Sequence, residues 1–239
     1  MRLEMILPKY VDSLLEGNRN GAREMVRKAI CTGVKAEQIY KELLVPAMTL
    51  VQQLYREDKI TTLVEHMASR INRFITDQVQ AQLMPSEPNG RTAVVVCAET
   101  QCEELGGQVC ADVLEASGWQ TLFLGGGVPE DELVGLVGKM RPELLVVYGS
   151  SPSGVPQIRE TIIRIRDIGA SPTMNVIATG GIFDRVEGLW KEIQADLYAS
   201  DPVAVAEVAE EAPQRMHLPR DPMAPKRRRK LVGAASALN

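Results

Sequence analysis

The stretch Glu99-Thr100-Gln101-Cys102-Glu103-Glu104-Leu105-Gly106-Gly107 brings together a thiol, three carboxylates, a side-chain amide and two adjacent glycines, with no imidazole. It follows the apolar run 93–97 and opens a segment of helical spacing, so it reads as a strand-to-helix turn, a frequent ligand position in α/β domains. Three acids in such a turn could bind a cation or form an acid/base pair, but negative charge at a helix start is also what the helix dipole favours. Cys102 stands where a thioether to a ligand is feasible, although an unpaired cysteine in a turn is more often inert packing. A second group, Tyr55-Arg56 and Glu65-His66, combines an aromatic ring, a cation and an acid next to an imidazole. His66 at helical spacing is equally explained as an ordinary, partly buried histidine.

Three further turns carry glycine after apolar runs: Gly125-Gly126-Gly127-Val128-Pro129, Gly149-Ser150-Ser151 and Thr179-Gly180-Gly181. One such glycine ordinarily supplies a positive φ and nothing more. With the 101–107 turn they make four on one edge. That leaves room for a large flat ligand or a chain threaded between strands, and their amides can meet phosphate or amide groups. No G-x-G-x-x-G follows the first apolar run, so the dinucleotide fingerprint is missing. The chain also has no Ser-His-Asp order, no H-E-x-x-H and no P-loop, and the expectation is a protein that is not an enzyme.

The elements that must hold these residues fall into two halves. Up to residue 83 the apolar positions recur at three- and four-residue spacing, as in Ile39, Leu43, Leu44, Met48 and Val51 or Leu63, Met67, Ile71 and Phe74. This predicts four helices over 5–17, 20–32, 36–56 and 62–82, packed as a bundle. Pro46 should kink or break the third. Thr62-x-x-Glu65 reads as a capping box opening the fourth. Pro85, Pro88 and Gly90 mark a linker over 85–90. Beyond it, short apolar runs at 93–97, 120–124, 144–148, 175–178 and 196–198 alternate with helical stretches. Their near-continuous hydrophobicity predicts strands buried on both faces, hence an α/β fold: an open, doubly wound, parallel five-stranded sheet over 91–212 with its ligand edge at the strands' carboxyl ends.

Composition is that of a globular chain: 239 residues, 45% apolar, 24% charged, formal net charge −4. No apolar run approaches the ~20 residues of a membrane span and no basic-then-apolar leader opens the chain, so a cytoplasmic location without membrane insertion is expected. Four cysteines without a C-x-x-C pair and two histidines give poor support to a zinc or disulfide framework.

Together, an N-terminal helical bundle, "LGGGVP" after the second strand, "TGG" after the fourth and a closing "ADLYASDPVAVAEVA" resemble the cobalamin (vitamin B12)-binding domain family over roughly residues 1–212. The segment "LYREDKITTLVEHMASR" is similar to that family's cap, where an aromatic residue is followed by Ile and a Glu-His pair, here Tyr55, Ile60, Glu65 and His66. The resemblance implies a bundle capping the upper face of a corrin, with the Rossmann-like domain below it. It also implies cofactor contacts from Tyr55, Arg56, Glu65, His66, Gln101, Cys102, Glu103, Gly106, Gly126, Gly127, Ser150, Ser151, Gly180 and Gly181. The family's turn D-x-H-x-x-G supplies a cobalt-ligating His, as does the E-x-H-E-x-G version of its light-sensing members; this chain has Glu103 at that position. Arg56 stands where the light-sensing members place a second His. A carboxylate is a poor substitute on corrin cobalt. The resemblance therefore implies cobalamin bound with its own base on the metal, and a linear bilin is the other tetrapyrrole to consider. The function expected is a sensor or regulatory protein acting through a protein partner, with homo-oligomers as a further option. The alternatives are a corrinoid methyl-carrier subunit of a methyltransferase system and a ligand-free scaffold.

After Pro213 the chain loses periodicity, and 213–239 is expected to be a flexible tail. Its Lys226-Arg227-Arg228-Arg229-Lys230 run contrasts with the acidic body and suits weak, salt-dependent contact with nucleic acid, an acidic protein surface or anionic lipid.

Overall fold

The computed structural model describes residues 2–98, 104–213 and 215. The bundle begins with α1 (Leu7–Leu15) and α2 (Arg19–Cys31). α1 is shorter than predicted, because residues 3–5 form a 3-10 turn and the chain leaves the helix at Glu16. The expected helix 36–56 runs as α3 (Ala36–Ile39), a π-helical segment Tyr40–Leu44 and α4 (Val45–Arg56). Pro46 neither breaks nor ends it. Proline has no N–H and its ring crowds the preceding turn, and the wider π turn, in which the Val45 amide reaches the Tyr40 carbonyl, absorbs both effects. α5 (Thr62–Gln80) is capped by Thr61, whose hydroxyl accepts from the Val64 amide at 3.4 Å. The Thr62–Glu65 capping box is therefore corrected: Glu65 is one residue too far along to reach back, and is buried instead.

Inside the bundle the Tyr10 hydroxyl donates to Asn72 Oδ1 at 2.7 Å, and Asn72 Nδ2 donates to the Leu44 carbonyl at 2.9 Å. Asn72 sits in the middle of α5 among apolar side chains, and these two bonds offset the cost of burying its amide.

The second half contains five parallel strands: β1 (Thr92–Cys97), β2 (Gln120–Gly125), β3 (Leu144–Tyr148), β4 (Asn175–Thr179) and β5 (Leu197–Ala199). Their order in the sheet is β2-β1-β3-β4-β5, so the winding reverses between β1 and β3. This is the predicted open α/β architecture. β5 lies one residue later than expected, and β2 is an edge strand of intermediate burial. β1 is in register with β2 as far as Val95↔Phe123 and then skips Leu124 to pair Val96 with Gly125, a bulge that bends the ligand end of the edge.

The two sheet faces are covered differently. On one side α7 (Glu130–Met140) and α8 (Val155–Ile168) pack over Val94, Val96, Leu145 and Val147. On the other, α6 (Glu104–Ala116) and α11 (Val205–Glu211) cover Val95, Cys97, Val146 and Tyr148, and the bundle joins this same core. The linker does not hang free of it: the Ser86 and Asn89 amides donate to the carbonyls of Ala116 and Gly118. The two short helices α9 (Gly181–Arg185) and α10 (Leu189–Glu192) connect β4 to β5.

At the amino ends of the strands the chain is tied down further along than expected. Asn175 Nδ2 donates to the Pro213 carbonyl at 3.1 Å, and Arg215 pairs with Asp196 at 3.1 Å, the same carboxylate that Arg166 holds. Free tail thus cannot begin at Pro213. The Lys226–Lys230 run lies outside the described residues.

Candidate functional site between the bundle and the sheet

A polar seam joins the bundle to α6. Glu104, Gln108 and Asp112 are spaced four apart and so share one helix face. Each meets the bundle: Arg73 pairs with Glu104, Gln108 Nε2 donates to Asp77 at 2.6 Å, and the Tyr40 hydroxyl donates to Asp112 at 2.8 Å. At its inner end Tyr40 is fully buried and Asp112 is 5% exposed. Burial pushes the Asp112 carboxyl up to about 6, with the Tyr40 hydrogen bond working against it and Glu115 and Asp77 adding to it. The π segment places Tyr40 on this seam, so the distortion that accommodates Pro46 also supplies the link to α6.

At its outer end the seam opens into a cleft of 500 Å³ lined by α2, α4, α5 and the first turn of α6. Its walls include Arg19, Glu65, His66, Arg70, Arg73 and Phe74. Glu65 is 2% exposed, accepts from Ser69 Oγ at 2.7 Å and lies 3.7 Å from His66 Nε2 at the cleft wall. Phe74 is 38% exposed and carries the guanidiniums of Arg19 and Arg23 at 5.3 and 5.0 Å from its ring centre.

A second cleft of 430 Å³ opens on the opposite face of the sheet, between α7 and α8 at the end of β1. Gly127, Val128, Ser153, Gly154 and Gln157 line it together with Ala98. Gly154 is required here by close approach, since a Cβ would lie 2.2 Å from the Ala98 carbonyl oxygen.

The residues expected to surround one ligand are distributed over these places. Glu65 and His66 line the bundle cleft; Gly127 lines the opposite one, with Gly126 beside it in the same turn. Tyr55 and Arg56 sit exposed at the end of α4, the Tyr55 hydroxyl 3.3 Å from Thr62 Oγ1, and line neither. Gly106 is buried beneath Tyr148, and a Cβ there would lie 2.0 Å from that ring. Gly180, at φ 105, backs onto the Gly149 carbonyl, where a Cβ would come within 2.4 Å, and Gly181 follows it as the first residue of α9. Ser150 is buried, its carbonyl accepting from Arg185 at 2.5 Å, while Ser151 is linked to Ser153. The turns after β3 and β4 are thus packed on one another. Gln101, Cys102 and Glu103 lie outside the described residues. Sequence reasoning missed Arg19, Arg70, Arg73, Phe74 and Tyr148. The four-residue steps His66, Arg70, Phe74 and Ser69, Arg73, Asp77 along α5 are the pattern that could have exposed most of them.

Residues 6–80 match the family model described as the B12 binding domain. Among solved structures, the chain is similar to the monomethylamine corrinoid protein of Methanosarcina barkeri, at 21% identity and a TM-score of 0.74 over 86% of this chain and 97% of that one. A cobalamin-binding protein from Desulfitobacterium hafniense DCB-2 matches at 19% identity and a TM-score of 0.46, over 85% of this chain and 97% of that one. The methanol:cobalamin methyltransferase complex MtaBC from Methanosarcina barkeri matches at 18% identity and 0.47, over 90% and 85%. No curated protein matches the chain significantly.

Proposed function

We propose that this chain, whose residues 6–80 match the B12 binding domain model, holds a corrin in the cleft between the bundle and α6 and acts as a non-enzymatic regulatory protein. The observation that carries the reading is that both halves of the chain build this cleft, so that any occupant touches α5 and α6 at once and bears on the Arg73–Glu104 pair that spans its wall.

The residues present fit a corrin with its own base on the metal. The planar Arg19 and Arg23 guanidiniums stacked on Phe74 and the cationic wall offer a platform for a flat macrocycle, and His66 faces it from the bundle. Tyr148 packs directly over Gly106 between α6 and β3, which supports a nucleotide base that stays with its ring. When bound, cobalamin supplies a cobalt centre able to hold and release an axial ligand. The chain's own contribution is positional: Phe74 and Met48 exclude water from one side, Glu65 stands beside His66, and the polar seam links the cleft to the buried Tyr40–Asp112 contact. A change at the Glu104 end of α6 thereby bears on the Tyr40–Asp112 contact further along the same helix.

Absorbance-monitored equilibrium dialysis of the full chain against hydroxocobalamin tests this. Saturable binding is expected, weakened by Arg73→Ala and Phe74→Ala and accompanied by slower amide exchange in α5 and α6. Failure to bind overturns the reading. Methyl turnover with an added corrinoid methyltransferase would replace the regulatory role by that of a methyl carrier.

A further inference from the structure

The charges around the bundle cleft are unevenly matched. Its acids are engaged: Glu65 is buried against Ser69 and His66, Asp77 accepts from Gln108, and Glu104 faces Arg73. Two of its cations are not. Arg19 and Arg70 line the cleft with no acidic partner among the described residues, and Arg23, stacked beside Arg19 on Phe74, has its Nε shut off from water without a hydrogen-bond acceptor. An adjoining hollow lined by Gly17, Asn18, Arg19, Asn20 and Arg23 continues the cationic surface past the cleft mouth. All this stands on a chain of formal net charge −4, so the excess is local.

We infer that the bundle wall of the cleft is a carboxylate site, which selects a tetrapyrrole carrying free acid side chains over the same ring carrying amides. The inference rests on the reading that the cleft takes such a ring, and it names a preference within that reading. Phe74 holds the Arg19 and Arg23 guanidiniums at the cleft mouth. Arg19 and Arg70 then meet the rim, where a guanidinium engages a carboxylate through paired, charge-assisted hydrogen bonds and a neutral amide only through single, uncharged ones. Arg23, whose Nε is shut off from water, stands beside Arg19 on Phe74 and adds its positive charge at the rim. Stacking of Arg19 and Arg23 on Phe74 keeps both side chains extended over the ring, which lowers the ordering cost when an anion arrives.

The test compares two corrins alike except in charge: cobyrinic acid, with free carboxylate side chains, and its fully amidated form. Neither has a nucleotide tail, so the ratio of their affinities for the full chain reports the wall alone. The acid form is expected to bind about ten-fold more tightly at low salt, with the advantage shrinking several-fold at ~0.5 M salt as exposed charges are screened. In the Arg19→Gln/Arg70→Gln double variant the ratio should collapse to about one. Both side chains are exposed, and an unchanged thermal midpoint would confirm that the variant is folded. If cobalamin binds but the acid form has no advantage, or keeps it in the double variant, the carboxylate site is refuted and the corrin reading stands. If none of the rings binds, both fall.

Discussion

Two clefts lie on opposite faces of the sheet, and they are built from opposite materials. The one between α7 and α8 is made by glycine turns and neutral polar groups; the one between the bundle and α6 is made by arginines, a histidine and an exposed aromatic ring. The first comes from close backbone packing, where missing side chains let loops approach. The second comes from side chains on helices that would be stable without them. The glycine-bearing turns after β3 and β4 therefore mark where the sheet edge is tightly closed, and the cationic helix face lines a cleft that packing leaves open.

The largest expected effect breaks the glycine side of this contrast. Gly180→Ala places a Cβ at 2.4 Å from a backbone oxygen at φ 105, so strain and overpacking act together. A loss of ~3 kcal/mol or more is expected by chemical denaturation. Gly135→Ala, whose added Cβ meets nothing within 4 Å, should be stabilising or neutral. Equal effects would mean that the edge is not closed by packing.

The seam beneath the arginine cleft should respond to pH. The Asp112 carboxyl titrates near 6 when folded and at ~4 when unfolded, so the folded state binds the extra proton between these values. Stability should fall as pH rises through that window and then level off, by up to ~3 kcal/mol. Asp112→Asn keeps an acceptor for Tyr40 and has nothing to ionise. Its thermal midpoint should match wild type at pH 4 and exceed it at pH 8. A wild-type midpoint that does not fall between pH 4 and 7 would remove the seam from any role in coupling.

Two smaller effects sharpen the helix side. Thr61→Ala should cost ~0.5–1 kcal/mol through loss of the α5 cap, and Thr62→Ala clearly less; the reverse order would restore the capping box at Thr62. Glu104→Gln removes a half-exposed ion pair and should change stability by only ~0.2–1 kcal/mol. Corrin affinity should change by a larger factor than this, because the pair stands in the cleft wall. A stability loss beyond that range would make Glu104 a structural residue first.

Much of the architecture was legible because it depends on local patterns. The three- and four-residue apolar spacing before residue 83 and the short continuous runs after 91 require a bundle and a doubly covered parallel sheet, since no other arrangement buries those faces. Boundaries were less legible. The cap of α5 fell on Thr61 because two adjacent threonines are equivalent until the backbone decides which is extended, and the effect of Pro46 depended on a π turn that no residue pattern announces. The candidate site was legible only in part. Glu65 and His66 were found from their neighbours in sequence, whereas Arg19 and Arg73 reach the same cleft from helices far apart in the chain.

What the sequence by itself determined is therefore the set of elements, their order and their buried faces, because periodicity and strand length are properties of neighbouring residues. Only the tertiary structure decided that Tyr148 fills the space over Gly106, that Glu104, Gln108 and Asp112 each find a partner on the bundle, and that two guanidiniums stack on Phe74. Those facts depend on which helix faces meet. That choice follows from the packing of the whole core and is written in no single segment of the chain.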